Sequence, residues 1–355
     1  MRIALLTYST RPRGGVVHTL SLAEALAELG HDVTVWTLGR GGGFFRDVDP
    51  RVRLAVVPFP DIPGEDVGPR ILRSIRMLRQ AFTPGEYDIV HAQDCISANA
   101  VDRCVRTIHH LDQFTTPELA ACHERAIVRP YAHLCVSAAV AAEVRAGWGI
   151  TPAVIPNGVD AGRFAAAVPS ADHGRYVLAV GGIEPRKGSI DLLDAYALLR
   201  AGLPGLNLVI AGGETLFDYR EYRTAWQARA DDLGVSPRVL GPVGHDLLPG
   251  LVAGAAAFAF PSTKEGFGLA AMEALAAGVP VVVRDLPVLR EVFGSTVGYG
   301  TDPGGLARAL RDAIEQPSPQ RAAAGRALAA AHTWRAAAEQ HTAFYGTLLS
   351  AAPAG

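Results

Sequence analysis

A chain of 355 residues is about twice the length of a usual domain, so two domains are expected. Hydrophobic residues make up 49% and charged residues 19%, a balance that excludes a disordered protein. The 33 basic and 35 acidic side chains leave a formal charge of −2, spread evenly over both halves, which excludes bulk nucleic-acid binding by a polycation.

Strand-like and helical runs alternate in chain order. Residues 3–8 form a compact apolar strand pattern that enters a polar, Gly-containing turn directly, unlike a signal peptide. Gly14-Gly15 opens a helix over about 16–29, with Leu20, Ala23, Leu26, Ala27 and Leu29 inward and Gly30 as its stop. Strands are expected at 32–37, 53–57, 89–92, 104–108, 133–136 and 153–155. Between them, a helix carries Arg70, Arg73, Arg76 and Arg79 opposite Ile71, Ile75, Leu78 and Phe82. Its basic side reads first as a solvated face and second as a weak contact for an anionic acceptor or membrane surface. Asn157-Gly158-Val159-Asp160 forms a turn, followed by a loose stretch over 165–174.

The pattern then restarts with a strand at 175–180, a helix at 187–199, a strand at 206–211 and a helix at 219–233. Short apolar strands follow at 238–240, 256–260 and 279–283. The last 40 residues read as Ala-rich helix anchored by Trp334 and Phe344. This alternation predicts an α/β protein with two doubly wound, Rossmann-like parallel sheets. The first domain is expected over 1–160 and the second over 161–334, with a last helix at about 335–355 crossing back to the first. No apolar run approaches the roughly 18 residues that span a bilayer, so a cytoplasmic protein is expected.

Several residue groups read as structural. Cys95, Cys104, Cys122 and Cys135 lack C-x-x-C spacing and are expected to be reduced core thiols. Asp47-Val48-Asp49 precedes a strand and reads as a solvated turn. His91, His109 and His110 sit on separate strand ends without ligand spacing, so no metal site is expected.

Doubly wound sheets bind ligands at the carboxyl ends of their strands, and three junctions there stand out. Gly14-Gly15 allows close backbone approach in front of a helix N-terminus. It lacks the G-x-G-x-x-G pattern, and the second strand ends in Trp36-Thr37-Leu38 without the acidic residue that holds a nicotinamide-cofactor ribose. The second junction is Gly181-Gly182-Ile183-Glu184-Pro185-Arg186-Lys187-Gly188. A cation pair at a helix start opposes the helix dipole unless an anion such as a diphosphate offsets it. The third, Pro261 to Leu269, contains Glu265-Gly266-Phe267-Gly268 and leads into a helix bearing Glu273. Two carboxylates eight residues apart, expected to face the same way beside an anion-binding backbone, suit a sugar nucleotide. The chain has 31 arginines but two lysines, and Lys187 and Lys264 lie in the second and third junctions. A plain turn, a solvated basic turn and capping or surface glutamates are the alternative readings.

The stretch from Glu265 through Glu273 resembles the E-x7-E motif of family 4 retaining glycosyltransferases, which have the GT-B fold. Thr107-Ile108-His109, the segment from Ile155 to Asp160, Glu184-Pro185-Arg186-Lys187 and the segment from Ala277 to Val282 are similar to other family segments. They follow the same order over nearly the whole chain. The resemblance implies two Rossmann-like domains facing across a cleft. It also implies metal-independent, retaining transfer of a hexosyl or N-acetylhexosaminyl group, without a cofactor. The donor would be a UDP-, GDP- or ADP-sugar and the acceptor a small molecule or glycolipid.

The implied roles follow residue by residue. Glu273 holds the donor ribose and Glu265 a hydroxyl of the transferred sugar. Backbone N–H groups of Gly266, Phe267, Gly268 and Leu269 contact sugar and phosphate. Arg186 and Lys187 neutralise the leaving diphosphate, Gly14 and Gly15 approach it from the other domain, and His109 lies beside the sugar. Many members carry an Arg five residues before the Lys. Here that position is Gly182, so Arg186 takes the cationic role. Two rival functions are compatible with the same residues: a phosphorylase or sugar-phosphate synthase, which extra basic residues such as Arg11 and Arg13 would favour, and a non-catalytic sugar-nucleotide-binding regulator. Docking through the basic helix would place the protein peripherally on the inner membrane face.

Overall fold

The computed structural model describes every residue except 40, 42, 112–115, 213–218 and 352–355. The chain forms two units, Met1–Gly158 with His332–Gly355, and Val159–Ala331.

The first unit contains β1 (Arg2–Leu6), β2 (Asp32–Gly39), β3 (Arg53–Pro58), β4 (Ile89–Ala92), β5 (Val105–Ile108), β6 (Ala132–Cys135) and β7 (Ala153–Val154). All pair in parallel in the order β3-β2-β1-β4-β5-β6-β7. Side chains alternate across a strand, so β1 feeds two cores. Ile3 and Leu5 meet Val16, Leu20 and Leu26 of the helix Gly14–Glu28, while Ala4 and Leu6 meet Leu78 and Phe82 on the other face. The C-terminal helix Trp334–Ala351 adds Ala338 and Tyr345 to the first of these cores.

The second unit contains β8 (Tyr176–Val180), β9 (Asn207–Ala211), β10 (Arg238–Gly241), β11 (Ala257–Phe260), β12 (Val281–Arg284) and β13 (Gly298–Gly300). Their parallel order is β10-β9-β8-β11-β12-β13. Val177 and Ala179 of β8 pack with Leu192, Leu193 and Tyr196 of the helix Ser189–Arg200. Strand order reverses between β1 and β4 and again between β8 and β11. These are the two topological switch points, and the three junctions lie at them.

Four local features differ from the sequence expectations. The helix expected from residue 187 begins at Ser189, because Gly188 breaks the backbone with a left-handed φ of 62°. Pro185–Lys187 is a separate single 3-10 turn. The C-terminal helical run is two helices, Pro319–Ala331 and Trp334–Ala351, with Thr333 Oγ1 accepting from Ala336 N at 3.0 Å to start the second. Before the loose stretch lies a short helix, Ala161–Ala165, capped by Asp160 Oδ1 accepting from Arg163 N at 3.2 Å. β13 was not expected, since Gly298-Tyr299-Gly300 carries no apolar run.

The basic helix, Val67–Ala81, requires a correction. Arg73 is not on a solvated face: it pairs with Glu65 at 2.5 Å and lies 3.9 Å over the Phe59 ring. Arg79 donates to Asn99 O at 2.7 Å and pairs with Asp102 at 3.3 Å. Asp49, in the loop before β3, accepts from Arg51, whose guanidinium holds its carboxyl down to about 2. The four cysteines are free thiols, three of them buried. Among the described residues, no helix is long and apolar enough to cross a membrane.

Candidate active site

In the second unit the loops after β8 and β11 lie side by side. Thr263 N donates to Arg186 O at 2.8 Å, tying the two loops through their backbones. Glycines make the approach possible. A Cβ on Gly188 would lie 2.2 Å from Pro261 O, and one on Gly212 would lie 1.9 Å from Gly181 O. Arg284, at the end of β12, braces the same turn, donating from Nε to Pro261 O at 2.8 Å and pairing with Asp191.

This packing brings Glu265 to the cations of the second junction. Lys187 Nζ donates to Glu265 Oε1 at 2.6 Å, and Arg186 Nη1 donates to the same oxygen at 3.2 Å. Arg186 Nη2 also donates to Glu184 Oε1 at 3.0 Å. Only 20% of the Lys187 side chain and 10% of Glu265 are exposed, so the pairing is sheltered from solvent screening. The expectation of an uncompensated cation pair on a helix start is therefore corrected. The cations sit on a 3-10 turn before the Gly188 break, and carboxylates offset them.

Gly266, Phe267 and Gly268 are buried at the start of the helix Leu269–Ala276. Gly268 has φ 98°, and a Cβ there would press on Phe293 at 3.0 Å, so geometry and space both require glycine. Glu273 lies further along this helix. Its charged surroundings are Arg163 and Asp160, whereas Glu265 binds Arg186 and Lys187. Burial pushes the Glu273 carboxyl up to about 7; Arg163 opposes the rise and Asp160 adds to it. Arg163 donates to His245 O and borders a groove of about 700 Å³, lined also by Val168, Leu240, Val243 and Leu247.

In the first unit, Gly14 and Gly15 begin the helix after β1. A Cβ on Gly15 would lie 3.9 Å from His109 Cδ2, whereas one on Gly14 would meet nothing within 4 Å. His109 follows β5. Burial drives its imidazole well below the ordinary range, with Arg106 adding to the effect, so the ring is neutral at pH 7. His91 is fully buried and bonds Tyr345 OH at 2.6 Å and Thr107 Oγ1 at 2.7 Å.

Sequence reasoning missed three contributors. Asp94 accepts from Tyr8 N at 2.9 Å and Ser97 N at 2.8 Å, joining the loop after β1 to the helix after β4. Arg284 braces Pro261. His18 touches His109, with ring centroids 4.7 Å apart. An Asp at a strand end just before a helical run signals an N-cap and could have revealed Asp94. Arg284 and His18 leave no comparable local signal.

Residues 12–163 match the model for Glycosyltransferase Family 4, and residues 163–329 match that for Glycosyl transferases group 1. The chain is 28% identical over 389 residues to a phosphatidyl-myo-inositol mannosyltransferase of Mycolicibacterium smegmatis, covering 99% of this chain and 95% of the relative. Sucrose-phosphate synthase from Thermosynechococcus elongatus superimposes with a TM-score of 0.79 at 21% identity, covering 99% of this chain and all of that one. Anabaena HepE in complex with UDP-glucose gives 0.74 at 19% identity, covering 98% and 100%. The two structural likenesses show the fold. Matched in order by both domain models and over its length by a mannosyltransferase, the chain belongs to the family 4 glycosyltransferases of GT-B fold and is an enzyme of hexosyl transfer.

Proposed function

We propose that the enzyme is retaining and metal-independent, and moves a hexose from a nucleotide-diphosphate sugar to a hydroxyl of a glycolipid-type acceptor. The observation that carries this reading is the single Glu265 oxygen holding both Lys187 and Arg186 at the β8/β11 switch point. A diphosphate arriving there replaces a carboxylate as partner to cations already in position. As the bond from the anomeric carbon to the diphosphate breaks, the growing negative charge meets an ammonium and a guanidinium without reorganisation. Side chains supply that charge, so the chemistry requires no divalent ion.

Displaced from the two cations, Glu265 turns to a hydroxyl of the transferred sugar, and no carboxylate is assigned as nucleophile. Retention is therefore assigned to attack from the leaving group's own face, with the acceptor proton passing to the departing diphosphate. Glu273 takes the ribose hydroxyls, and His109, neutral, packs beside the sugar. The mannosyltransferase acting on phosphatidyl-myo-inositol supports a mannosyl donor and a lipid acceptor, and the UDP-glucose bound to HepE supports the sugar-nucleotide class. A glycolipid acceptor would bring the enzyme to an anionic surface, toward which the helix Val67–Ala81 offers exposed Arg76 and Leu72.

A thermal-shift screen of UDP-, GDP- and ADP-sugars identifies the donor by the melting point it raises. Turnover of that donor with and without EDTA, and the anomeric configuration of the product, test the rest. Activity lost to EDTA and restored by Mg²⁺ or Mn²⁺, or an inverted product, refutes the mechanism. Strict dependence on inorganic phosphate or a phosphosugar would instead assign the phosphorylase or synthase reaction.

A further inference from the structure

Four histidines of the first unit form a connected cluster: His109, His18, His341 and His91. Their ring centroids are 4.7 Å apart from His109 to His18, 6.2 Å from His18 to His341 and 5.9 Å from His341 to His91. His18, on the helix Gly14–Glu28 and one turn beyond Gly15, is 1% exposed. Its Nδ1–H donates to Asn157 Oδ1 at 2.9 Å, which sets the tautomer and prevents the ring from turning without breaking a buried hydrogen bond. Clamped in this way, the ring meets His109 edge-on at an interplanar angle of 78° and meets Trp334 edge-on at 5.4 Å.

The position of Asn157 and Trp334 gives this contact its meaning. The chain leaves the first unit after Gly158 and returns at His332. Asn157 thus immediately precedes the outgoing passage, and Trp334 closely follows the return. A Cβ on Gly158 would lie 2.4 Å from Trp334 N, so the two segments are packed backbone against backbone. His18 touches both. On the ligand side, His109 Nε2 is buried and has no hydrogen-bond partner among the described residues. At that end of the ring, packing against His18 and the Gly15 backbone sets its orientation in place of a hydrogen bond.

We propose that His18 is a positioning residue for hexosyl transfer, holding the His109 ring in place and tying it to the two segments through which the chain passes between its units. The inference rests on the reading that His109 faces the donor sugar. His18 does not touch substrate; it removes the freedom of a ring that must be in place at the transition state, where small misplacement is expensive.

The test is a double-mutant cycle on the full chain. Turnover is measured with UDP-glucose, or with the GDP- or ADP-sugar that the thermal-shift screen selects. His18→Asn keeps an amide that can donate to Asn157 but deletes the ring against His109. Asn157→Ala frees the ring, and serves as the second entry should His18→Asn fail to fold. Each is expected to lower kcat about tenfold, while the Kd of the matching nucleoside diphosphate is unchanged. In a His109→Ala background the same changes should cost less than twofold further, because the ring through which they act is gone. Wild-type kcat in both variants, or costs that multiply in the two backgrounds, overturns the proposal. Normal turnover in His109→Ala alone instead refutes the donor-side reading of His109 and, with it, the role of His18.

Discussion

One oxygen of Glu265 serves both cations of the candidate donor site, at 2.6 Å from Lys187 Nζ and 3.2 Å from Arg186 Nη1. The site is thus charged and ordered before any ligand arrives. In the proposed mechanism its carboxylate is a stand-in partner that the incoming diphosphate displaces.

Lys187→Ala should leave a folded protein that melts a few degrees lower, because a sheltered ion pair is lost while the Glu265–Arg186 contact remains. Turnover should fall about a hundredfold, as expected for a group that stabilises leaving-group charge, and by more than nucleotide affinity weakens. Lys187→Arg should restore part of the loss, since a planar fork does not fill the place of a compact ammonium. Melting curves and steady-state kinetics on the three proteins check this. Normal turnover in Lys187→Ala would return the residue to a structural role.

Glu273 should make nucleotide binding depend on pH. Its carboxyl titrates at about 7 in the folded protein, and the ionised form is the stronger acceptor for ribose hydroxyls. Affinity for the nucleoside diphosphate should therefore rise between pH 6 and 8 in the wild type relative to Glu273→Gln, as calorimetry on both proteins would show. Stability moves the other way. A folded-state value raised above the unfolded one means that the folded protein holds the extra proton, so this contribution is full below about 4.5 and lost as pH rises through 7. Wild-type melting temperature, relative to Glu273→Gln, should decline over that window. Parallel curves for the two proteins would exclude the raised carboxyl.

Gly15→Ala separates packing from ligand approach. The added methyl would meet His109 at 3.9 Å, an ordinary contact, so the melting temperature should stay within a degree or two. Turnover should nonetheless fall at least tenfold if the donor diphosphate comes against this backbone. Unchanged kinetics would refute a role for Gly15 in donor binding.

Gly188→Ala should act through the fold. A side chain at φ 62° costs about 1 kcal/mol, and its Cβ would lie 2.2 Å from Pro261 O. The β8 and β11 loops would have to separate. We expect a melting temperature lower by several degrees and weakened nucleoside diphosphate binding together; a stable variant with normal binding would show that the loops need not touch.

Much of the architecture was legible because local patterns carry it. Apolar strands such as Ile3-Ala4-Leu5-Leu6 and Val177-Leu178-Ala179-Val180 are recognisable as segments buried on both faces. The Gly-rich junctions mark where backbones must approach, and the Glu265 to Glu273 spacing marks the family. Where local signals conflicted, tertiary packing decided. Gly188 interrupts what the apolar periodicity presents as a continuous helix, because its backbone must pass under Pro261. The C-terminal helical run breaks at His332-Thr333, where the chain returns to the first unit.

By itself the sequence determined the two parallel sheets, the three junctions at their switch points and the residue types that fill them. These follow from side-chain period, turn chemistry and spacing, all short-range properties of the chain. Partnership was decided in three dimensions. Arg73 folds over Phe59 into a pair with Glu65, Lys187 finds Glu265 across 78 residues, and Glu273 is buried until its carboxyl titrates near neutrality. His18 meets Asn157 across 139 residues. A charge or ring acquires its role from the neighbours that exclude water around it, and those neighbours are set by how the sheets and loops pack.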